Sequence, residues 1–410
     1  MGKLNFPRPT NSTYLPMTRP TRPFTRRTFL GSLGMAVTGC TAGCLDATDD
    51  DTDAALAIET VATGFDQPWA LAMHPTAPEL FVTELGGRLS IVDRTDGTTT
   101  ELDGLPAIAV GGQGGLLDIE LEPGFDDGGW LYLTYVGSDG NGGRSTHLGR
   151  ARFDREGATL TEFEVLYVVE PFRGGTRHFG SRVVFDDDGM LVFTSGDRGD
   201  GTFTEEHPSQ DTTTAIGSTV RLTPDGDIPG DNPFIDDPRA LDELYTIGHR
   251  NPQGLTVHPE TGELWQSEHG EHDGDMLHLL EAGGNYGWPI AHTGCAYGST
   301  DPVGDNPFER DDIVNPVYHW ECTTGGFPPA GMTFYDGEAF PAFEGDLFVG
   351  NLAGEYLGRF TVDGREVEEV DPLLAGEGWR IRDVAVDPDD GHLYVAIDAE
   401  DTELIRFVPA

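Results

Sequence analysis

Along most of the chain, apolar and polar residues alternate in short stretches, and one phrase keeps returning. A strand-like segment ends at Pro or Asp-Gly, and a second segment rich in Leu, Tyr, Phe and Val follows at once. The first copy covers residues 69–75, 79–84 and 87–93, and the second 115–123, 130–135 and 147–153. The third covers 181–186, 190–195 and 217–222, and the fourth 253–259 and 263–268. The fifth covers 331–335, 345–350 and 356–362, and the sixth 381–388, 391–397 and 402–407. A period of two puts successive side chains on opposite faces of a strand, and no segment sustains a helical period beyond a few turns. Six units of three or four such strands predict an all-β chain folded as a six-bladed β-propeller.

A blade cannot cover both of its own faces, so blades stack around an axis and bury them against neighbours. Closing the ring needs one more strand, and residues 56–62 are predicted to complete the last blade. Long inserts fall at 196–216, 225–241 and 294–315; loops of that length in a compact domain are often functional.

Composition supports many strands and tight turns, with Gly 56 and Pro 28 in 410 residues. Charge adds more. Asp and Glu number 71 against 25 Lys and Arg, a net of −46, and the sole lysine is Lys3. The acids are scattered rather than blocked, which favours a solvated, halophilic-type acidic shell over a cation store or a basic partner. Nucleic acid is excluded as a partner, since phosphates are met by Lys and Arg.

The first 45 residues differ in kind. They hold no acid but carry Lys3, Arg8, Arg19, Arg22, Arg26 and Arg27. Thr25-Arg26-Arg27-Thr28-Phe29-Leu30 leads into an apolar run to Val37, too short to span a bilayer comfortably. This resembles a twin-arginine export signal ending in a lipoprotein cleavage box, with Cys40 or Cys44 as the lipidated residue. The expected organisation is therefore export signal 1–45, acidic tether 46–55 and propeller 56–410. The protein is expected on the outer face of the cytoplasmic membrane or outside the cell, touching membrane only through a lipid anchor. Cys295 and Cys322, an even pair in an exported chain, fit a disulfide closing a surface loop better than a metal site.

Five motifs carry candidate chemistry. Gly111-Gly-Gln113-Gly-Gly115 precedes the second unit, where glycines permit close approach to a ligand and the Gln113 amide can donate and accept. His178 precedes the third unit, and Asp197 ends its next strand. Both positions fall at the same end of a blade, so the carboxylate is expected to orient the imidazole as a general base. Arg250 and Asn251 precede the fourth unit, and Arg380 and Arg382 begin the sixth. Three arginines at one rim suggest an anionic ligand. Oxygen-rich Glu268–Asp275 and the run to Tyr286 and Pro289 suit a hard cation such as calcium, although the spacing is not that of an EF-hand.

Taken together and in this order, the motifs resemble the soluble glucose and aldose sugar dehydrogenases that use pyrroloquinoline quinone (PQQ). Gln113–Leu117, His249–Leu255, Gly283–Pro289 and Arg380–Val384 carry the likeness, which covers residues 69–407. The resemblance implies a quinone on the axial mouth and His178 as the base acting on the anomeric hydroxyl of an aldose, supported by Asp197. Hydride passes to the quinone, giving a lactone, and the electrons leave to an external acceptor. It implies cofactor contacts from Gln113, Arg250, Asn251, His269, Arg380 and Arg382. It implies calcium on the backbone carbonyls of Gly270 and Glu271, and a second calcium near Asp275 and Tyr286. Three positions depart from the family pattern: Leu352-Ala353-Gly354 stands where a lysine is usual, Met276 where an acid is usual, and Arg177 where Asp or Asn is common. Two rival readings are a binding propeller that has lost the cofactor and a calcium-dependent propeller hydrolase. The second needs a convergent set of carboxylates on the axis, and the rim motifs are instead rich in Arg, Gln, Asn and His.

Overall fold

The computed structural model describes residues 56–410. The expected export signal, its expected cleavage box with Cys40 and Cys44, and the expected tether lie outside the described residues. Six antiparallel four-stranded sheets form the blades, and in five of them the strand order follows the chain. Blade one holds Pro68–Met73, Glu79–Glu84, Arg88–Asp93 and Thr99–Glu101; blade two holds Leu116–Leu121, Trp130–Ser138, Arg144–Asp154 and Thr159–Val168. Blade three holds Val183–Phe185, Leu191–Ser195, Ser218–Leu222 and Leu244–Ile247; blade four holds Pro252–Val257, Leu264–Glu268, Met276–Leu279 and Tyr318–His319. Blade five holds Pro329–Phe334, Leu347–Asn351, Tyr356–Asp363 and Glu366–Leu373. Blade six joins Ile381–Val386, Leu393–Ile397 and Thr402–Pro409 to Leu56–Phe65, so the N-terminal strand closes the ring.

Each junction between neighbouring blades has its own apolar cluster. At the closing junction Leu71, Leu80 and Val82 pack against Tyr394, Ala396 and Leu404. Such burial stabilises by roughly 25 cal/mol per Å² of apolar surface removed from water. Blade four departs most from the sequence expectation. Residues 280–317 intervene before its last strand, which is only Tyr318–His319, and they carry a small ladder of Ala291–Cys295 with Pro302–Gly304. A disulfide joins Cys295 to Cys322 with Cα atoms 5.7 Å apart, tying this insertion back to the blade.

The first strands line the axis and pack on one another. In five blades that strand slips register against its neighbour, and in blades one to three a second-strand threonine ties the inner strand to the next blade. Thr83 accepts from the Ala70 N–H and donates to the Leu117 carbonyl of the next blade at 2.5 Å. Thr134 repeats this with Asp118 and Ser181, and Thr194 with Arg182 and Pro252. Halfway down the axis Arg182 bridges Asp118 (2.9 Å) and Asp383 (3.0 Å) and stacks on Trp69 at 4.4 Å. All three charged groups are buried. They separate a cavity of about 490 Å³ at the C-terminal ends of the inner strands from the opposite mouth.

Candidate active site

The mouth at the N-terminal ends of the inner strands opens into a cavity of about 340 Å³, bordered by Gln113, His178, Arg250, His269, Glu271 and Ala353. His178 is presented by the segment that enters blade three, in a left-handed backbone conformation (φ 55°) uncommon for a residue with a side chain. The surroundings impose it. Its N–H donates to Gln113 Oε1 at 2.7 Å, and its carbonyl accepts from the Arg198 N–H at 3.1 Å. Gln113 is itself anchored through its N–H to the Thr176 carbonyl. The glycines around it serve protein packing. A Cβ on Gly112 would lie 2.4 Å from Thr176 Oγ1, and one on Gly115 would lie 1.8 Å from the Leu85 carbonyl oxygen. The close approach expected of them is therefore to neighbouring protein.

His178 Nδ1 lies 2.7 Å from Asp197 Oδ1. An ionised carboxylate only accepts, so Nδ1 carries a proton toward Asp197, and Nε2 is the ring nitrogen left for the cavity. Trp288 Nε1 donates to Asp197 Oδ2 at 2.8 Å, and the Gly199 N–H to Oδ1 at 2.7 Å. Burial favours the protonated form of Asp197, but the hydrogen bond and charge of His178, with Arg250 nearby, outweigh it and hold the pKa below the ordinary aspartate value.

Arg250 is buried beside this pair. Its guanidinium donates to Glu271 Oε2 at 2.7 Å and lies 5.2 Å from the Trp288 ring. Its backbone N–H donates to Glu268, whose other oxygen meets His249 Nδ1 at 2.8 Å. Asn251 is fully buried, accepts from the Gly180 N–H at 3.2 Å and touches His269 at 3.5 Å. His269 Nε2 lies 2.6 Å from the Pro329 carbonyl. Burial, helped by the charges of Arg250 and Arg382, pushes its pKa down to about 3, so it is neutral. Arg382 reaches Gln253 Oε1 (3.0 Å) and Asp398 (2.8 Å). Arg380 is half-exposed and shares Asp398 with it at 3.0 Å, while also donating to the Leu352 carbonyl.

The cavity thus brings His178 together with the Gln113 amide and the Arg250 guanidinium, donors suited to carboxylates and carbonyls, while Asn251, Arg380 and Arg382 are not among the residues that border it. Ala353 leaves a small apolar stretch of wall. Gly270 and Glu271, whose carbonyls are the predicted cation ligands, border the same cavity. Of the other predicted cation pair, Asp275 borders the same cavity. Asp275 spends both oxygens on the N–H groups of Gly270 (2.9 Å) and Phe327 (2.8 Å). Tyr286 lies between blades three and four, donating to the Leu279 carbonyl and stacked on His249. Among the described residues no three side chains of His, Cys, Asp or Glu form a metal-binding group. The sequence reading missed Trp288 as the second donor to Asp197, although it stands in a motif quoted above. It also missed Arg198, which the Gly-Asp-Arg-Gly turn places behind the base.

Residues 65–406 match the family model described as glucose/sorbosone dehydrogenase. The aldose sugar dehydrogenase YliI of Escherichia coli is 35% identical over 358 residues, covering 86% of this chain and 92% of the relative. Quinoprotein glucose dehydrogenase B of Acinetobacter calcoaceticus is 26% identical over 412 residues, covering 83% and 85%. The soluble aldose sugar dehydrogenase of E. coli, solved in its apo form, aligns with a TM-score of 0.80 at 33% identity, covering 87% of this chain and 100% of that one. The PQQ-bound aldose sugar dehydrogenase of Streptomyces coelicolor aligns with a TM-score of 0.68 at 28% identity, covering 87% and 98%. On that match the chain belongs to the glucose/sorbosone dehydrogenase family and is an enzyme of the oxidoreductase class.

Proposed function

We propose that the protein oxidises aldose sugars at the anomeric carbon to lactones, with PQQ and calcium, outside the cytoplasmic membrane. The observation that carries this is His178, whose Nε2 faces the cavity while Nδ1 is held by an ionised Asp197. Nε2 takes the proton of the anomeric hydroxyl, and Asp197 stabilises the imidazolium that forms. Trp288 and Gly199 fix the carboxylate so that this charge is met without rearrangement. Arg250, Asn251, Gln113, His269 and Arg382 would hold the quinone's carboxylates and carbonyls, with Arg380 at the rim. Gly270 and Glu271 would hold the calcium through backbone oxygens. When bound, the cofactor supplies a hydride acceptor and the metal a Lewis acid. Asp275 and the Tyr286 backbone would serve a second calcium, to which no step is assigned.

Electrons leave through the same mouth to an external acceptor, and the twin-arginine and cleavage-box residues support export with a lipid anchor. The test is a PQQ titration of calcium-loaded protein in high salt, with an aldose and an electron-accepting dye. Saturable dye reduction that His178→Ala and calcium chelation abolish is the expected result. A well-folded protein that binds no quinone would instead support the binding-propeller reading, with Ala353 as the leading cause.

A further inference from the structure

Cations are scarce in this chain, and nearly all are spoken for. Among the described residues every arginine is ion-paired with a carboxylate except Arg144, Arg177 and Arg198. These three are neighbours. Arg198 donates to the Arg177 carbonyl at 3.4 Å and feels the charges of Asp197, Arg144 and Arg173; Asp197 is bonded to His178, Trp288 and Gly199 rather than to it. Arg144 exchanges backbone hydrogen bonds with Arg173 and donates from its side chain to the carbonyls of Gly111 and Val110. Arg173 pairs with Asp200 at 2.7 Å, the one carboxylate bonded to the patch.

Arg198 is the telling member. It is 6% exposed, stacks on Phe179 at 3.4 Å, and its Nε and Nη2 have no hydrogen-bond partner. A buried guanidinium with no carboxylate hydrogen-bonded to it is costly unless something supplies one. Burial lowers its pKa to about 9, which leaves it cationic at neutral pH. With Arg173 and Gly199 it lines an open depression of about 510 Å³, while Arg177 lines the cavity that holds His178. The cationic patch therefore flanks the Arg177–His178 segment on both sides.

We infer that this patch is an oxyanion subsite for an acidic substituent on the sugar, so that an aldose bearing a carboxylate or a phosphate ester is preferred over its neutral counterpart. Guanidinium groups bind either anion in paired, planar fashion. A local cluster of uncompensated cations is also what admits an anion to a protein of net charge −46, whose long-range repulsion salt screens. The inference rests on the sugar-oxidising reading above.

The test compares glucose, glucose 6-phosphate and glucuronic acid with the PQQ- and calcium-loaded protein, as wild type, R177Q and R198Q. One of the two acids is expected to exceed glucose in kcat/KM by about ten-fold, mainly through KM, and which one it is identifies the anion. The acid-to-neutral ratio is expected to fall by about that factor in either variant; R177Q, at the cavity wall, keeps the test valid if R198Q fails to fold. Oxidation of glucose with no preference for either acid overturns the subsite and leaves the proposed function standing. A preference untouched by both substitutions overturns it as well. If no sugar is oxidised, the proposed function fails, and calorimetry of the three sugars decides the subsite alone. Acid binding lost in R177Q sustains it, and no binding overturns it.

Discussion

Asp197 meets three donors, from His178, Trp288 and Gly199, with its two oxygens. Asn in its place has one accepting oxygen and an amide that would face a donor. Asp197→Asn is expected to lower kcat by about 10²- to 10⁴-fold with the fold intact, read by steady-state kinetics beside circular dichroism. An unchanged kcat would remove Asp197 from the mechanism. The His178–Asp197 pairing was legible in the sequence because blade geometry puts a first-strand entry and a second-strand exit at one end. Trp288 was not, because its loop lies 91 residues beyond Asp197 and no periodicity reports where a long loop folds back. Arg198 was hidden for a different reason. Its lack of a partner is a property of packing, and an arginine in an acid-rich chain reads by default as paired.

At the scale of the element, blade four and its insertion concentrate buried histidines. Burial pushes the pKa values of His269, His278 and His292 down to about 3. In the unfolded chain each would titrate near 6.5. The folded state therefore binds fewer protons between those values, and stability is present above about pH 6.5 and lost as pH falls below it. Each histidine contributes at most about 1.4 kcal/mol per pH unit across that window. Urea midpoints are expected to drop from pH 7 to pH 5, and His278→Gln to flatten the slope; equal midpoints would mean that these rings are hydrated. In the Gln113 turn, Gly115→Ala drives a Cβ into the Leu85 carbonyl and is expected to destabilise by about 2 kcal/mol or more, measured by thermal melting. The blades were readable wherever strands are joined by short turns. The outer half of blade four was not, because 280–317 interrupt the alternation before Tyr318–His319.

Residues 56–410 form a ring closed by the strand Leu56–Phe65, in a chain rich in acid. At a net charge of −46 the folded surface repels itself, and added salt weakens that repulsion. The thermal midpoint is expected to rise by several degrees between low and molar sodium chloride; a flat or falling midpoint would refute the acidic-shell reading. The ring and its closing strand were legible because each blade repeats the same pattern, whereas the seal on the axis was not. Asp118, Arg182 and Asp383 come from three blades and meet only when the circle is complete. That seal makes the mouth a dead end with a single door. Under the proposed function, a sugar in that mouth would stand in the way of whatever collects the electrons, and the product would leave before the acceptor comes in. Turnover in such a chamber alternates two visitors, and a crowd of the first delays the second.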